Sequence, residues 1–277
     1  MKEEKVPTEV VEEEIVKVED VPEEVAAVIE KPAKPEALDS WQPKTELGRR
    51  VKAKEIVNID EVISSGKKVL EAEIIDALLP NLEMELIMIG QAKGKFGGGQ
   101  RRIFKQTQKK TAEGNSPSFT TMAVIGNKNG YVGLGMAGSK ETVPARNKAV
   151  REAKLNLLKV MRGCGSWECG CGKPHSIPFK VTGRCGAIRV TLMPAPMGTG
   201  LCVEKECQKL LKLAGIKDVW SQTYGKTATK SNLIKACFRA LAKLMTFKIS
   251  DTVRGNLNIV EGALIEEPAK EENGKKQ

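Results

Sequence analysis

The chain has 277 residues, enough for two modest domains with tails, and 40% of them are apolar while 4% are aromatic, so any core rests on Val, Ile, Leu, Ala and Met. No apolar run approaches the roughly 20 residues of a membrane span, and seven cysteines, an odd number without a hydrophobic leader, argue for reduced thiols or metal ligands in a cytosol. The net charge of +10 is unevenly spread: residues 1–39 hold 13 acids against five bases, or −8, which leaves +18 on the rest. A body that basic attracts polyanions, of which nucleic acid is the commonest. Charge kept for solubility alone is the competing reading.

Residues 1–45, rich in Glu, Val and Pro, read as a disordered acidic head that cannot bury enough surface to order itself. Residues 59–79 read as one helix with a broken stripe of Val62, Val69, Ile74 and Leu78, closed by Pro80. A glycine-rich basic loop follows at 90–102. From Gln91 to Lys110 there are seven bases (Lys93, Lys95, Arg101, Arg102, Lys105, Lys109 and Lys110) and no acid. Arg and Lys neutralise phosphates, and glycines let backbone N–H groups approach them. That composition favours a polyanion contact over a merely solvated loop.

Strands are expected near 103–108, 119–126 and 131–136. The last two form a hairpin with Met122, Val124, Val132, Leu134 and Met136 alternating and Asn127-Lys128-Asn129-Gly130 turning. Residues 144–162 predict a helix with Pro144 at its first position and Val150, Ala153, Leu157 and Met161 on one face. The Gly/Cys stretch 163–175 is the natural boundary. Beyond it Ile177, Phe179 and Val181 lead to a turn at Thr182-Gly183-Arg184, and Ile188, Val190 and Leu192 return. A Gly198-Thr199-Gly200 turn precedes a helix at about 204–214 that ends at Gly215. A strand at Ile216–Trp220 and a helix at about 231–246, with Leu233, Cys237, Leu241 and Leu244 on one face, complete an α+β sandwich. The end, 250–277, reads as a disordered tail. The organisation is therefore an acidic head (1–45), a helical lead-in and first domain (46–162), a second domain (163–249) and a tail.

The order helix, three strands, helix in the first domain is that of a double-stranded-RNA-binding domain, which reads shape through basic loops and a helix end. The run Phe119–Pro144, with its Gly-Asn-x-x-Gly turn and Val-Gly-x-Gly return strand, resembles ribosomal protein five of the small subunit. So do Pro174-His175-Ser176-Ile177-Pro178, Val181-Thr182-Gly183, Pro194-Ala195-Pro196, Gly198-Thr199-Gly200, Ala214-Gly215-Ile216 and Asp218-Val219-Trp220. Arg162 through Cys169 is similar to the archaeal members, and the match runs over roughly 55–248. The resemblance implies an α+β protein whose first domain is double-stranded-RNA-binding-like and whose second has a left-handed crossover. It implies a cytoplasmic place in the small ribosomal subunit, on 16S-type rRNA, near ribosomal proteins three, four and eight and the messenger-RNA entry channel, with an influence on decoding accuracy. It puts the rRNA contacts on the loop and hairpin: Arg101, Arg102, Lys105, Lys109, Lys110 and the Asn127–Asn129 turn, with Lys93 and Lys95 added by the basic loop. Residues 90–118 are longer and differently arranged than the family's usual loop. A free-standing double-stranded-RNA chaperone is the alternative reading.

Two further constellations carry chemistry. Cys164-x4-Cys169-x-Cys171-x3-His175 gathers three thiols and the single His of the chain, with Cys185 further on. Thiolate and imidazole suit tetrahedral zinc. The spacing is not a paired CxxC knuckle, however, so reduced thiols in a compact turn are expected and no metal or cofactor is assigned. A Cys169–His175 nucleophile pair has no evident third member. The Pro194–Gly200 turn resembles the phosphate-binding turn of small-molecule kinases that share the second domain's fold. Leu201 and Cys202 replace their small hydroxyl residues, and fold kinship does not carry function, so no enzyme is expected. Trp167 in the Gly/Cys loop is a candidate base-stacking residue, with packing or exposure as the plainer reading.

Overall fold

Apolar residues too sparse for one long helix fold instead as three short ones. The structure, a computed structural model, describes residues 41–92 and 101–263. It opens with α1 (Glu46–Lys52), α2 (Ile59–Ser64) and α3 (Ala72–Leu78). The single helix expected over 59–79 is broken at Gly66, whose φ of 67° is left-handed and ends a helix. Val62 and Ile74 still bury together with Val51 and Ile56, and Val69 and Leu78 pack against them. The Glu71 carboxylate accepts the Trp41 indole N–H at 2.9 Å and the backbone N–H groups of Lys44 and Thr45 at 2.9 and 2.6 Å. Burial pushes that carboxyl up, but these hydrogen bonds outweigh it and hold its pKa below the ordinary value. Residues 41–45 therefore belong to the fold and not to the acidic head; the rest of the head lies outside the described residues.

The first sheet contains β1 (Glu83–Leu86), β2 (Lys105–Thr111), β3 (Gly114–Gly126), β4 (Tyr131–Ser139) and β5 (Leu157–Lys159). Its order is β1-β3-β4-β5, with β2 sharing the β1 edge of the long β3. Strand alternation puts Met122, Val124, Val132 and Leu134 on one face, and that face packs on the second unit. The other face holds Ala123, Gly133 and Gly135 under helix α4 (Thr142–Leu155), which buries Ala145, Ala149 and Ala153. A Cβ at Gly135 would come within 2.2 Å of the Ala149 carbonyl oxygen, so the small residues are the seat of the helix. This corrects the stripe expected through Val150, Leu157 and Met161. The helix stops at Leu155, and Leu157–Lys159 and Met161–Arg162 (β6) are strands. Pro144 is third in the helix, still within the first turn where its missing N–H costs nothing.

The second unit has β7 (Val181–Cys185), β8 (Ile188–Pro194), β9 (Leu201–Cys202), α5 (Lys205–Leu213), β10 (Val219–Tyr224) and α6 (Lys230–Leu244). The sheet order is β7-β8-β10-β9, antiparallel except for β10 with β9. Thr182-Gly183-Arg184 lies inside β7, not at a turn; the chain turns at Gly186, where φ is 60°. Gly183 stays small because a Cβ there would sit 2.1 Å from the Ala236 carbonyl of α6. The strand expected from Ile216 starts at Val219, since Gly215 and Ile216 are still closing α5 through hydrogen bonds to Lys212 and Leu211. Leu233, Cys237, Leu241 and Leu244 of α6 are buried as their spacing requires. Leu210, Leu211 and Leu213 of α5 join them to the apolar face of the first sheet in one core.

The tail expected from 250 is folded as far as 263. Helix α7 (Asp251–Asn256) leads to β11 (Val260–Glu261), which pairs antiparallel with β6. The reason is apolar: Ile259 is buried and Leu257 packs on the shared core. The architecture is thus α+β, two sheets with helices, closed at the junction by the returning chain. Among the described residues no helix is long and apolar enough to cross a membrane.

Candidate RNA interface and the domain junction

The basic segment resolves into a loop base and a ribbon. Ala92 bridges Arg101, and the Gly90 N–H donates to the Arg102 carbonyl at 2.8 Å, so the ends of the glycine-rich loop are held together. Arg102 is exposed and Arg101 half-buried at this base; Lys93 and Lys95 lie outside the described residues. Beyond it every residue of β2 is exposed. Of β3, β4 pairs only with Phe119–Gly126, so Gly114–Ser118 and their partners Thr107–Thr111 form a two-stranded ribbon beyond the sheet. Register puts Lys105, Thr107 and Lys109 beside Thr120, Ser118 and Ser116 on one face, with Lys110 on the other. The ribbon turns at Ala112-Glu113, and Glu113 is its one acid. The sequence reading expected a strand at about 103–108 but missed its continuation to Thr111 and the hairpin into Gly114–Ser118, where no apolar alternation reveals them.

The second expected contact, the Asn127–Asn129 turn, is used differently. The Asn127 Oδ1 accepts the N–H groups of Asn129 and Tyr131 at 2.8 and 3.1 Å, an Asx turn, and Lys128 takes a φ of 57°. Lys128 N–H and Gly130 N–H donate to the carbonyls of Leu213 and Ala214 at the end of α5. The Asn129 Oδ1 accepts from the buried Arg162 guanidinium at 2.8 Å, which also donates to the Gly262 carbonyl at 2.9 Å. Burial lowers the Arg162 pKa. The turn is therefore the joint between the two units and the returning tail. Only the Lys128 side chain is exposed, and it pairs with Glu83.

The glycine turn of the second unit also has a partner within the chain. The N–H groups of Gly198 and Gly200 donate to Asp218 Oδ1 at 3.1 and 2.8 Å. The N-terminus of α5 is capped by Glu204, whose carboxylate accepts from Glu206 and Cys207 and pairs with Lys230. Both places where a phosphate would be held are filled by the protein's own carboxylates, which removes the structural basis of the kinase reading. Asp218 has a second role: its Oδ2 lies 2.7 Å from His175 Nδ1, in a buried pair. It is the third member that the Cys169–His175 pair was missing. His175 Nε2 in turn stands 3.7 Å from Cys169 Sγ, and Cys171 Sγ stands 3.7 Å from Cys164 Sγ. Burial pushes the Cys164 thiol up to about 11, while backbone N–H donors, those of Cys171 and Met197 first, bring Cys169 down to about 6. Cys185 lies apart, packed on the core. Trp167, on the same loop, is 90% exposed.

Two sheets packed on one core, a polar ribbon standing beyond them and carboxylates filling the glycine turn and the α5 N-terminus suit a binding protein, and the comparisons give its class. Residues 103–161 match the family model for ribosomal protein S5, N-terminal domain, and residues 183–254 match that for its C-terminal domain. Small ribosomal subunit protein uS5 of Nanoarchaeum equitans is 47% identical over 228 residues, covering 82% of this chain and 98% of the relative. The uS5 of Methanocaldococcus jannaschii is 42% identical over the same shares, and that of Methanobrevibacter smithii is 45% identical over 77% of this chain and 93% of its own length. The chain belongs to the small ribosomal subunit protein uS5 family.

Proposed function

We propose that this chain is a structural, non-enzymatic constituent of the small ribosomal subunit in the cytoplasm, bound to rRNA and to neighbouring ribosomal proteins, and that the β2–β3 ribbon is its principal rRNA contact. The observation that carries the second part is a seven-residue strand exposed at every position and bearing Lys105, Lys109 and Lys110. A lone hairpin of Lys, Gln, Thr and Ser has no core and is marginal in water. A polyanion supplies what the ribbon lacks: the Lys105 and Lys109 ammonium groups and a row of hydroxyls meet phosphates on one face, and Lys110 meets them on the other. Arg101 and Arg102 at the loop base, with Lys93 and Lys95 of the loop itself, extend the basic path, and exposed Lys128 adds a point charge at its other end. Asn127 and Asn129 are assigned to the junction instead.

The finer reading follows from the family resemblance. The first unit acts as a double-stranded-RNA-binding-like domain, and the β9–α5–β10 connection is a left-handed crossover. The neighbours are ribosomal proteins three, four and eight on 16S-type rRNA, and the messenger-RNA entry channel runs nearby, where the protein influences decoding accuracy. The test is binding of the full chain to small-subunit rRNA across a salt series. Replacing Lys105, Lys109 and Lys110 by Ala reduces the slope of log affinity against log salt by roughly 0.9 per lysine. A slope unchanged by the triple replacement overturns the ribbon as the contact. A wild-type chain that stays at the top of a sedimentation gradient, away from small subunits, favours the free RNA chaperone.

A further inference from the structure

We propose that Cys164, Cys169, Cys171 and His175 hold one structural zinc ion. The side-chain donor atoms of these four residues all lie within 4.8 Å of one another, the one such group among the described residues. Zn–S bonds of about 2.3 Å set tetrahedral sulfurs about 3.8 Å apart, and a Zn–N bond of about 2.0 Å sets sulfur and nitrogen about 3.5 Å apart. The Cys164–Cys171 and Cys169–His175 separations, both 3.7 Å, match two of the six edges of such a tetrahedron. Three thiolates and one imidazole close the coordination sphere, which suits a structural ion and leaves no open position for a substrate.

The surroundings are those of a metal-ligating histidine. His175 turns Nε2 to the thiols and Nδ1 to the buried Asp218 carboxylate, the arrangement that fixes tautomer and ring orientation at zinc sites. Asp218 is anchored by Gly198 and Gly200, Ser176 Oγ donates to the Asp218 carbonyl at 2.6 Å, and the His175 carbonyl accepts from Lys217 and Asp218. The second layer is thus complete without the ion. Backbone hydrogen bonds of Gly163 with Ser176, and of Cys164 N–H with the Leu257 carbonyl, hold the loop ends. The short C-x-C spacing is accommodated because Gly170 has open space around it and Gly172 takes a φ of 64°. The ion closes the loop leaving β6 onto His175, which its Asp218 hydrogen bond joins to the residues entering β10. It fastens the junction, and this role is independent of the RNA contact.

The experiment is metal analysis of the full-length protein purified with its thiols protected, followed by cobalt titration of the metal-stripped chain. The expected result is about one zinc per chain. Cobalt then gives tetrahedral visible bands and a thiolate charge-transfer band that saturate at one equivalent. Cys171→Ser abolishes the charge-transfer saturation, Asp218→Asn weakens binding roughly 10- to 100-fold, and Cys185→Ser and Cys202→Ser leave it unchanged. Zinc well below one equivalent together with a wild-type chain that shows no thiolate–cobalt band overturns the proposal, as does iron in place of zinc or a band unaltered in Cys171→Ser. If the variants fail to fold, the wild-type titration decides by itself.

Discussion

Strand β3 begins in the ribbon with β2 and ends in the Asn127–Gly130 turn, and both places are rich in the same residue types, Lys, Asn and Gly. At the first end no polar side chain has a role in holding the two units together, and every residue of β2 faces solvent. At the second, Asn127 and Asn129 have filled their oxygens from within the protein, and two backbone N–H groups reach α5. The difference teaches that a basic, glycine-bearing turn is an RNA contact only where its hydrogen-bonding groups are left for RNA. Composition reports the residue types; the partners across the fold decide their use.

Replacements at the two ends separate these roles. The largest effect belongs to Gly130→Ala. Its φ is 90° and a Cβ would lie 2.2 Å from the Gly262 carbonyl, so the joint must open at a cost of about 3 kcal/mol, seen as a lowered urea midpoint. The salt slope of RNA binding by the folded protein stays the same. Asn127→Ala removes two hydrogen bonds and costs about 1–2 kcal/mol in the same assay, again without altering the slope. The ribbon triple replacement behaves in the opposite way: stability moves within about 0.5 kcal/mol while the slope falls. Lys128→Ala is the smallest change. Its pair with Glu83 is exposed and contributes below about 1 kcal/mol, and the slope falls by at most roughly 0.9. A slope change in Asn127→Ala larger than in the ribbon variant reverses the assignment of the two ends.

Much of the second unit was legible because its periodicities are strong. The faces of α5 and α6 and the alternation of β8 follow from apolar spacing alone. The alternation of Met122, Val124, Val132 and Leu134 gave the inner face of β3 and β4 as well. What was not legible depends on long-range partners or on polar strands. β2 was expected only as far as 108, because its continuation to Thr111 and the hairpin into Gly114–Ser118 have no apolar pattern. Gly183 reads as a turn residue, and Gly133 and Gly135 as plain strand positions, yet all three are seats for helices α6 and α4. Asp218 stands 43 residues from His175, so its part in the cysteine cluster shows only once β10 has been placed. The tail from 250 reads as polar, and Ile259, its one buried apolar side chain among the described residues, is too slight a signal to announce a strand.

The pairing of β6 with β11 also sets an order in time. Arg162 and Gly262 are 100 residues apart, so at about 5–20 residues per second roughly 5–20 s of synthesis separate the making of one from the other. The first sheet and its helix have time to form before the strand that closes the joint exists. A newborn chain therefore presents its ribbon on an unfastened frame, and Arg162 acquires its second acceptor only after 100 more residues have been made.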